Sequence, residues 1–265
     1  MTVALPATSD PIVVVLDTGV DASALPAGVV MQGCNFSGEG DSIDFLDRNG
    51  HGTAIGRTIV DEFAEVRLLP IKLLVDLGYL PHGPGLEDAL EWILHRHQTQ
   101  PVAVVCASFS DGSHTSDDDI HRGSRLQELV AALKTAGVPT VAPAGNRYIE
   151  TSWRDVHGMA WPAILRETVS VGALRPLDDD RTLRIAPRSQ RLHRSVHRDC
   201  ATNVFAVPGP PGDTSGAAAV VAGRLARLRG RCPGATCDEL VQLLMRTQTT
   251  EFESPAGLTW PALEP

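Results

Sequence analysis

The sequence "GDTSGAAAVVAG", residues 212–223, places Ser215 directly before an uninterrupted run of small apolar residues. Such a run predicts a helix that is buried on every side, because no face of it carries a polar side chain. Serine is favoured at helix N-termini, where its side-chain oxygen accepts a free backbone N–H. Ser215 is therefore either the cap of this helix or a nucleophile. The second interpretation requires a base, a carboxylate and an oxyanion site elsewhere in the chain.

Short apolar runs rich in β-branched residues alternate with helical patterns along the chain. Five runs predict buried strands, at residues 12–16, 66–74, 102–109, 138–144 and 168–174. Helices are predicted at residues 53–63, 86–97, 124–136, from Ser215 onward, and at 237–248, the last amphipathic and peripheral. This alternation predicts an α/β fold, with a doubly wound, mostly parallel sheet and helices on both faces.

The composition is that of an ordinary globular protein, with 43% apolar residues and a net charge of −9. No linker divides the 265 residues, so we expect one domain, residues 1–265, with residues 1–10 as an N-terminal arm. No apolar stretch approaches the ~20 residues that cross a membrane. The negative charge disfavours nucleic acid as a partner. We interpret the six arginines between Arg181 and Arg198 as a solvated loop rather than a binding patch.

The chain has five cysteines, an odd number without regular spacing. This count argues against a disulfide framework and favours a cytoplasmic location. The N-terminal sequence "MTVALPATSDP" lacks the basic region of a secretory signal, which favours the same location. Two groups, Cys232 with Cys237 and His193 with His197 and Cys200, lack the paired spacing of a zinc site. We therefore expect no metal site.

Four polar residues lie where predicted strands end or helices begin. Asp17 follows the first strand, His51 lies between two glycines before a helix, Asn146 follows the strand at 138–144, and Ser215 opens the buried helix. Each has an ordinary structural explanation, as a turn former, a surface histidine, a loop amide or a cap. Together they comprise a carboxylate, a base, an amide and a hydroxyl, which is the set that nucleophilic catalysis needs.

These segments resemble the motifs of the subtilases, the subtilisin-like serine peptidases. "VVVLDTGV" resembles the family's Asp motif, "DRNGHGTAIG" its His motif, "AGVPTVAPAGN" its oxyanion-Asn motif and "DTSGAAAVVAG" its Ser motif. "VVCASFS" resembles the strand that pairs with substrate, and "WPAILRETVSVGA" resembles the wall of the specificity pocket. The resemblance spans residues 11–246, and it implies the doubly wound fold and a protein or peptide substrate.

The resemblance implies a role for each of the four residues. Ser215 would be the nucleophile, His51 the base, and Asp17 the carboxylate that orients the imidazole. The side-chain amide of Asn146 would join the backbone N–H of Ser215 in the oxyanion hole.

The resemblance also implies a set of substrate-binding residues. They are Ser108, Phe109 and Ser110 on the substrate strand, and Arg147 and Ala160 in the specificity pocket. Arg147 either favours an acidic substrate side chain or points into solvent. The loop "SDGSHTSDDDIHR", residues 110–122, adds four acids that we expect to attract basic substrate residues. The Trp161–Pro162 bond would be a cis peptide at the pocket wall.

The chain departs from the family pattern at several positions. Asp213 stands where the family has glycine, and Ala219 stands where it has proline. The short segment after His51 implies that the usual calcium loop is absent, so no cofactor is expected. The residues before the first strand are either a surface arm or a short inhibitory segment.

The sequence therefore favours a cytoplasmic serine endopeptidase that forms an acyl-enzyme on Ser215. One alternative is a peptide ligase or cyclase on the same fold, which Ala219 suggests. Another is a noncatalytic binding protein, which Asp213 suggests. An activating or inhibitory partner protein is left open.

Overall fold

The computed structural model describes residues 10–153, 155–176 and 183–264. The expected N-terminal arm lies outside the described residues except for Asp10, and Arg181 of the arginine-rich segment also lies outside them. Within the described ranges, no helix combines the length and the apolar character that a membrane span requires.

The strands of the described residues join in one sheet. They are β1 (Ile12–Asp17), β2 (Cys34–Asn35), β3 (Arg67–Lys72), β4 (Val102–Cys106), β5 (Thr140–Pro143), β6 (Thr168–Pro176), β7 (Leu183–Ile185), β8 (Val204–Ala206), β9 (Thr249–Glu253) and β10 (Thr259–Leu263). Their order is β2-β3-β1-β4-β5-β6-β8-β10-β9, with β7 paired to β6. The pairs from β2 to β10 are parallel, and only β7 and β9 among these strands are antiparallel to their neighbours. The predicted mostly parallel sheet is confirmed.

Helices cover both faces of this sheet. They are α1 (His51–Glu62), α2 (Gly85–Thr99), α3 (Arg125–Thr135), α4 (Tyr148–Thr151), α5 (Asp213–Arg231) and α6 (Cys237–Gln248). Side chains of β1 alternate between the two sides, as the two-residue period of a strand requires. Val13 and Val15 pack with α1, α5 and α6, whereas Ile12, Val14 and Leu16 pack with α2 and α3. The first strand is therefore buried on both faces.

Helix α5 is the buried helix that the sequence predicts, but it begins two residues before Ser215. Its first residue is Asp213 and its N-cap is Gly212. The first helical hydrogen bond runs from Gly216 N to Gly212 O, 2.8 Å. The expectation that Ser215 caps this helix is therefore wrong, because Ser215 lies inside the first turn.

The sequence did not predict the short strands β2, β7 and β8 or the C-terminal hairpin of β9 and β10. Phe252 and Trp260 of the hairpin contact Phe205 of β8 edge to face, with ring centroids 5.9 and 5.2 Å apart. These contacts join elements about 50 residues apart in the chain, so they leave no local periodicity in the sequence.

The acidic loop at residues 110–122 differs from its predicted role. Asp118 is fully buried, and its carboxylate accepts hydrogen bonds from Arg166 Nε, at 2.8 Å, and from Arg166 Nη2. Asp119 forms an exposed ion pair with Arg122. These two acids are therefore committed to arginines of the protein, and the expectation that all four attract basic substrate residues is wrong.

We predict that Asp118→Asn lowers the free energy of unfolding by about 2 kcal/mol, because the buried side chain loses its charge-assisted hydrogen bonds from Arg166. Asp119→Asn is the matched control and costs at most about 1 kcal/mol, since its ion pair is exposed. Hydrogen bonds from Arg166 lower the pKa of Asp118 to about 2 from 3.8. The stability that Asp118 contributes is present above its usual pKa and is lost as the pH falls. Denaturant unfolding of wild type and Asp118→Asn should therefore converge near pH 2, and equal losses for both variants at pH 7 would contradict the argument.

Candidate active site

The carboxyl end of β1 and the first residue of α1 bring Asp17 and His51 together. Asp17 ends β1 and is fully buried. Its two carboxylate oxygens lie 2.8 and 3.0 Å from His51 Nδ1, and its Oδ1 accepts a hydrogen bond of 2.7 Å from Thr18 N. A buried carboxylate is stable only with such partners. They also fix the ring orientation of His51, because Nδ1 is the nitrogen that carries the proton toward the acid.

Side chains from two loops hold the N-terminus of α1 in place. Thr18 Oγ1 accepts from Gly52 N at 3.0 Å and donates to Asp47 Oδ1 at 2.9 Å. The other oxygen of Asp47 accepts from Thr53 N at 2.8 Å. A Cβ on Gly52 would lie 2.1 Å from the carbonyl oxygen of Gly19, so only glycine allows α1 to approach β1 this closely.

The charges around His51 shift its pKa upward. Burial lowers the pKa of the ring, but the hydrogen bond and negative charge of Asp17 outweigh it, with a smaller contribution from Asp47, so the pKa lies above 6.5. For the neighbouring Asp47, burial has the opposite effect and raises the pKa of the carboxyl, because burial disfavours its charged form. Hydrogen bonds from Thr53, Gly50 and Thr18 outweigh this effect, so the pKa of Asp47 lies below 3.8. Asp47 therefore remains ionised at neutral pH.

Asn146 lies beside the first turn of α5. Its Oδ1 accepts hydrogen bonds from Thr214 N at 3.1 Å and Thr214 Oγ1 at 2.8 Å. Because a backbone N–H can only donate, this contact fixes which side-chain atom is the oxygen. The amide nitrogen of Asn146 has no partner among the described residues, so it is available to a substrate oxygen.

The hydroxyl of Ser215 contacts the predicted substrate strand. Its Oγ donates to the carbonyl oxygen of Ser108 at 3.4 Å, and Ser108 Oγ donates to the Ser215 carbonyl oxygen at 3.4 Å. Within the described ranges, no hydrogen bond joins Ser215 to His51. Phe109 is buried, whereas Ser110 is exposed.

A groove of about 660 Å³ runs along one side of these residues. Its lining includes His51, all three predicted residues of the substrate strand and an apolar wall. That wall comprises Leu74, Leu77, Tyr79, Leu80 and Pro81. Leu77 and Tyr79 are 81% and 57% exposed, so the apolar surface of this wall is open to a ligand.

The two predicted specificity residues, Arg147 and Ala160, both lie between the end of β5 and the start of β6. Ala160 is fully buried, and the Trp161–Pro162 peptide is cis, as the resemblance implied. Arg147 is half-exposed; its Nε donates to Glu150 at 2.6 Å and its Nη1 donates to the Gly112 carbonyl at 3.1 Å. The guanidinium therefore already pairs with a carboxylate of the same chain, at the protein surface.

Sequence reasoning missed the polar residues that support this site. Gln190 is fully buried; its N donates to the Gly145 carbonyl at 2.8 Å, and its Oε1 accepts from Arg147 N at 3.2 Å. Arg188 pairs with Asp213, 3.2 Å apart.

The local pattern "DRNG" before His51 would have indicated Asp47, because an Asp shortly before a helix is a capping signal. No such signal marks Gln190 or Arg188, which reach the site from a distant loop.

The residues singled out as metal candidates serve other contacts. His193 Nδ1 lies 2.7 Å from Ser195 Oγ, and its Nε2 lies 3.1 Å from the Thr259 carbonyl oxygen. Cys237 is buried at the start of α6. In the part of the chain that the structure describes, no group of three or more His, Cys, Asp or Glu residues is arranged to hold a metal ion.

Comparison with known proteins identifies the family. The model of the subtilase family, Peptidase_S8, matches residues 8–259. The fold resembles sphericase, with a TM-score of 0.72 and 22% identity over 91% of this chain and 83% of that one. It also resembles a cold adapted subtilisin-like serine proteinase, with a TM-score of 0.74 and 21% identity over 97% of this chain and 90% of that one. No match was found among the curated proteins. The chain belongs to the subtilase family and is a serine protease.

We predict that His51 titrates above pH 6.5 and that Asp17→Asn moves its pKa downward, because the variant removes the negative charge but leaves the ring buried. NMR titration of the histidine ring, assigned with a His51→Ala variant, measures both values. An unchanged His51 pKa in Asp17→Asn would contradict the assignment of Asp17 as its main partner.

Proposed function

We propose that the protein is an endopeptidase that hydrolyses peptide bonds through an acyl-enzyme on Ser215. The observation that carries this proposal is the hydrogen bond between His51 Nδ1 and the buried Asp17 carboxylate. With its proton on Nδ1, a neutral His51 has its lone pair on Nε2, the atom that accepts the serine proton in this chemistry. Asp17 would also stabilise the imidazolium that forms.

The proposed reaction has two halves. Ser215 Oγ attacks the carbonyl carbon of the substrate while its proton passes to His51 Nε2. The negative oxygen would receive hydrogen bonds from Asn146 Nδ2 and from the backbone N–H of Ser215. His51 then gives the proton to the departing amine, and a water molecule, activated by the same imidazole, releases the acyl group.

The resting contact of Ser215 is compatible with this reaction. Its hydrogen bond to the Ser108 carbonyl is 3.4 Å long, beyond the usual range for a hydroxyl donor, so little energy opposes rotation of the hydroxyl toward His51. Hydrogen bonds of this kind often tighten only when substrate is bound. A substrate backbone could pair with residues 108–110, which follow the end of β4 at Cys106.

The groove supports an extended peptide substrate with apolar side chains. Its apolar wall and the exposed Leu77 and Tyr79 would bury such side chains next to His51. At the specificity pocket, Glu150 already neutralises Arg147. We therefore infer that the preference for acidic substrate side chains, which the sequence suggested, is weak in the wild-type protein.

Other features bear on the alternatives and on location. Helix α5 is continuous through the buried Ala219. Because Ala219 lies four residues after Ser215 in this helix, peptide ligation stays the second candidate function. All five cysteines are free, which supports our proposal of a reducing, cytoplasmic environment.

We predict that wild type forms a single covalent adduct with a fluorophosphonate and that Ser215→Ala forms none, as measured by intact mass. Asn146→Ala should slow the labelling by about 10²–10³-fold, the magnitude that loss of such a donor has in a subtilisin. Labelling should fall as the pH drops through the His51 pKa, because the protonated ring accepts no proton.

An unlabelled wild type with intact fold would contradict the proposal and would favour the noncatalytic interpretation. The masses of products from a peptide substrate separate the two catalytic functions. Hydrolysis adds one water to the products, whereas ligation or cyclisation adds none.

We also predict that Glu150→Gln increases cleavage after acidic residues by about tenfold relative to wild type, because it frees the Arg147 guanidinium for a substrate carboxylate. Cleavage of a peptide library measures the change. Arg147→Ala in the Glu150→Gln background should abolish the gain. An acidic preference that persists in this double variant would show that another group provides it.

A further inference from the structure

Asp213 places a negative charge next to the proposed oxyanion site. It is the first residue of α5, two positions before Ser215, and its φ of 47° lies in the left-handed region that few residues other than glycine adopt. Its side chain is 42% exposed. A free carboxylate here would oppose the negative charge that develops on a substrate oxygen bound by Asn146.

Arg188 lies between Asp213 and Asn146. Its Nη1 is 3.2 Å from Asp213 Oδ2, and its Nε donates to the Asn146 carbonyl oxygen at 3.4 Å. The backbone around Arg188 is fixed as well, because Tyr148 N donates to the Arg188 carbonyl at 3.1 Å. The guanidinium therefore reaches both the loop that carries Asn146 and the first turn of α5.

The neighbouring arginine does not provide the same charge. Arg147 is bound to Glu150 and to the Gly112 carbonyl. Of the residues that the structure describes, Arg188 is the cation that pairs with Asp213.

We propose that Arg188 is a positioning residue that acts through Asp213. It cancels the negative charge of that carboxylate, which would otherwise oppose the charge on the oxyanion. The inference rests on the proposed function, in which Asn146 and Ser215 N–H bind the oxyanion. The pair allows an acidic residue to occupy the first position of α5, where φ is 47°.

The pair should affect the reaction rate more than the stability. Arg188 is 58% exposed, and exposed ion pairs contribute little to folding. Asp213 is nevertheless only two positions before Ser215, so its charge would act on the reacting atoms, and dissolved salt would screen it once Arg188 is removed.

The test compares four proteins: wild type, Arg188→Ala, Asp213→Gly and the double variant. The readouts are the maximal rate of inactivation by an uncharged fluorophosphonate, the affinity for that reagent, and the thermal midpoint.

Arg188→Ala should lower the maximal rate about tenfold, less than the ~10²–10³-fold cost of losing an oxyanion donor outright. Its reagent affinity and thermal midpoint should match wild type. Asp213→Gly should react at nearly the wild-type rate, and Arg188→Ala should cause no further loss in that background.

Two additional measurements separate charge from structure. The deficit of Arg188→Ala relative to wild type should shrink between about 0.05 M and 1 M salt, as the screening length falls from more than 10 Å to about 3 Å. Arg188→Lys should recover most of the lost rate, because it keeps the positive charge.

A deficit that is equally large in the Asp213→Gly background, or that does not change with salt, would overturn the proposal. So would an Arg188→Ala protein that reacts as fast as wild type. A wild type that is not labelled at all would overturn the proposed function, and with it this inference. A labelled wild type with unaffected variants would overturn this inference alone.

Discussion

The close approach of α5 to its neighbours is the constraint on which the rest of the structure depends. A Cβ on Gly216 would lie 1.9 Å from the carbonyl oxygen of Gly209, and a Cβ on Gly223 would lie 2.6 Å from the Cβ of Glu62 in α1. Between these glycines, the helix has no side chain larger than valine. The small residues allow α5 to lie against α1 and against β1, β4, β5, β6 and β8 with almost no exposed surface.

This packing determines where the functional groups meet. The carboxyl ends of parallel strands lie along one edge of the sheet, and the N-termini of α1 and α5 meet that edge. Asp17 ends a strand, His51 begins α1, and Ser215 lies in the first turn of α5. The groups come together because these ends are fixed by backbone packing, and the short side chains then need to span only a few ångströms.

The sequence predicts the parts of this arrangement that depend on local pattern. Strands β1, β3, β4, β5 and β6, the main helices and the four motif residues all follow from periodicity, turn residues and family resemblance. Helix starts are less predictable: α1 and α5 begin at His51 and Asp213, two residues earlier than expected, each directly after a glycine with positive φ. Residues whose partners are distant in the chain were missed, as with Asp118 and Arg166, and Arg188 and Asp213. Nothing in a local pattern specifies which distant arginine pairs with an acid.

The first turn of α5 shows how a helix terminus becomes a reactive site. Helical hydrogen bonds cannot satisfy the first N–H groups of a helix, so other partners must hold them. Here the Asn146 side chain accepts from the N–H of Thr214, while Arg188 pairs with the Asp213 carboxylate and the Ser215 hydroxyl makes a long contact with the Ser108 carbonyl.

The backbone N–H of Ser215 differs from its neighbours, because it has no acceptor among the described residues. It lies at the positive end of the helix, near the free amide nitrogen of Asn146. Asn146 and Ser215 are both partly exposed, so a substrate oxygen can reach these two donors. The same contacts that fix the helix terminus thus leave these two donors for a negatively charged oxygen.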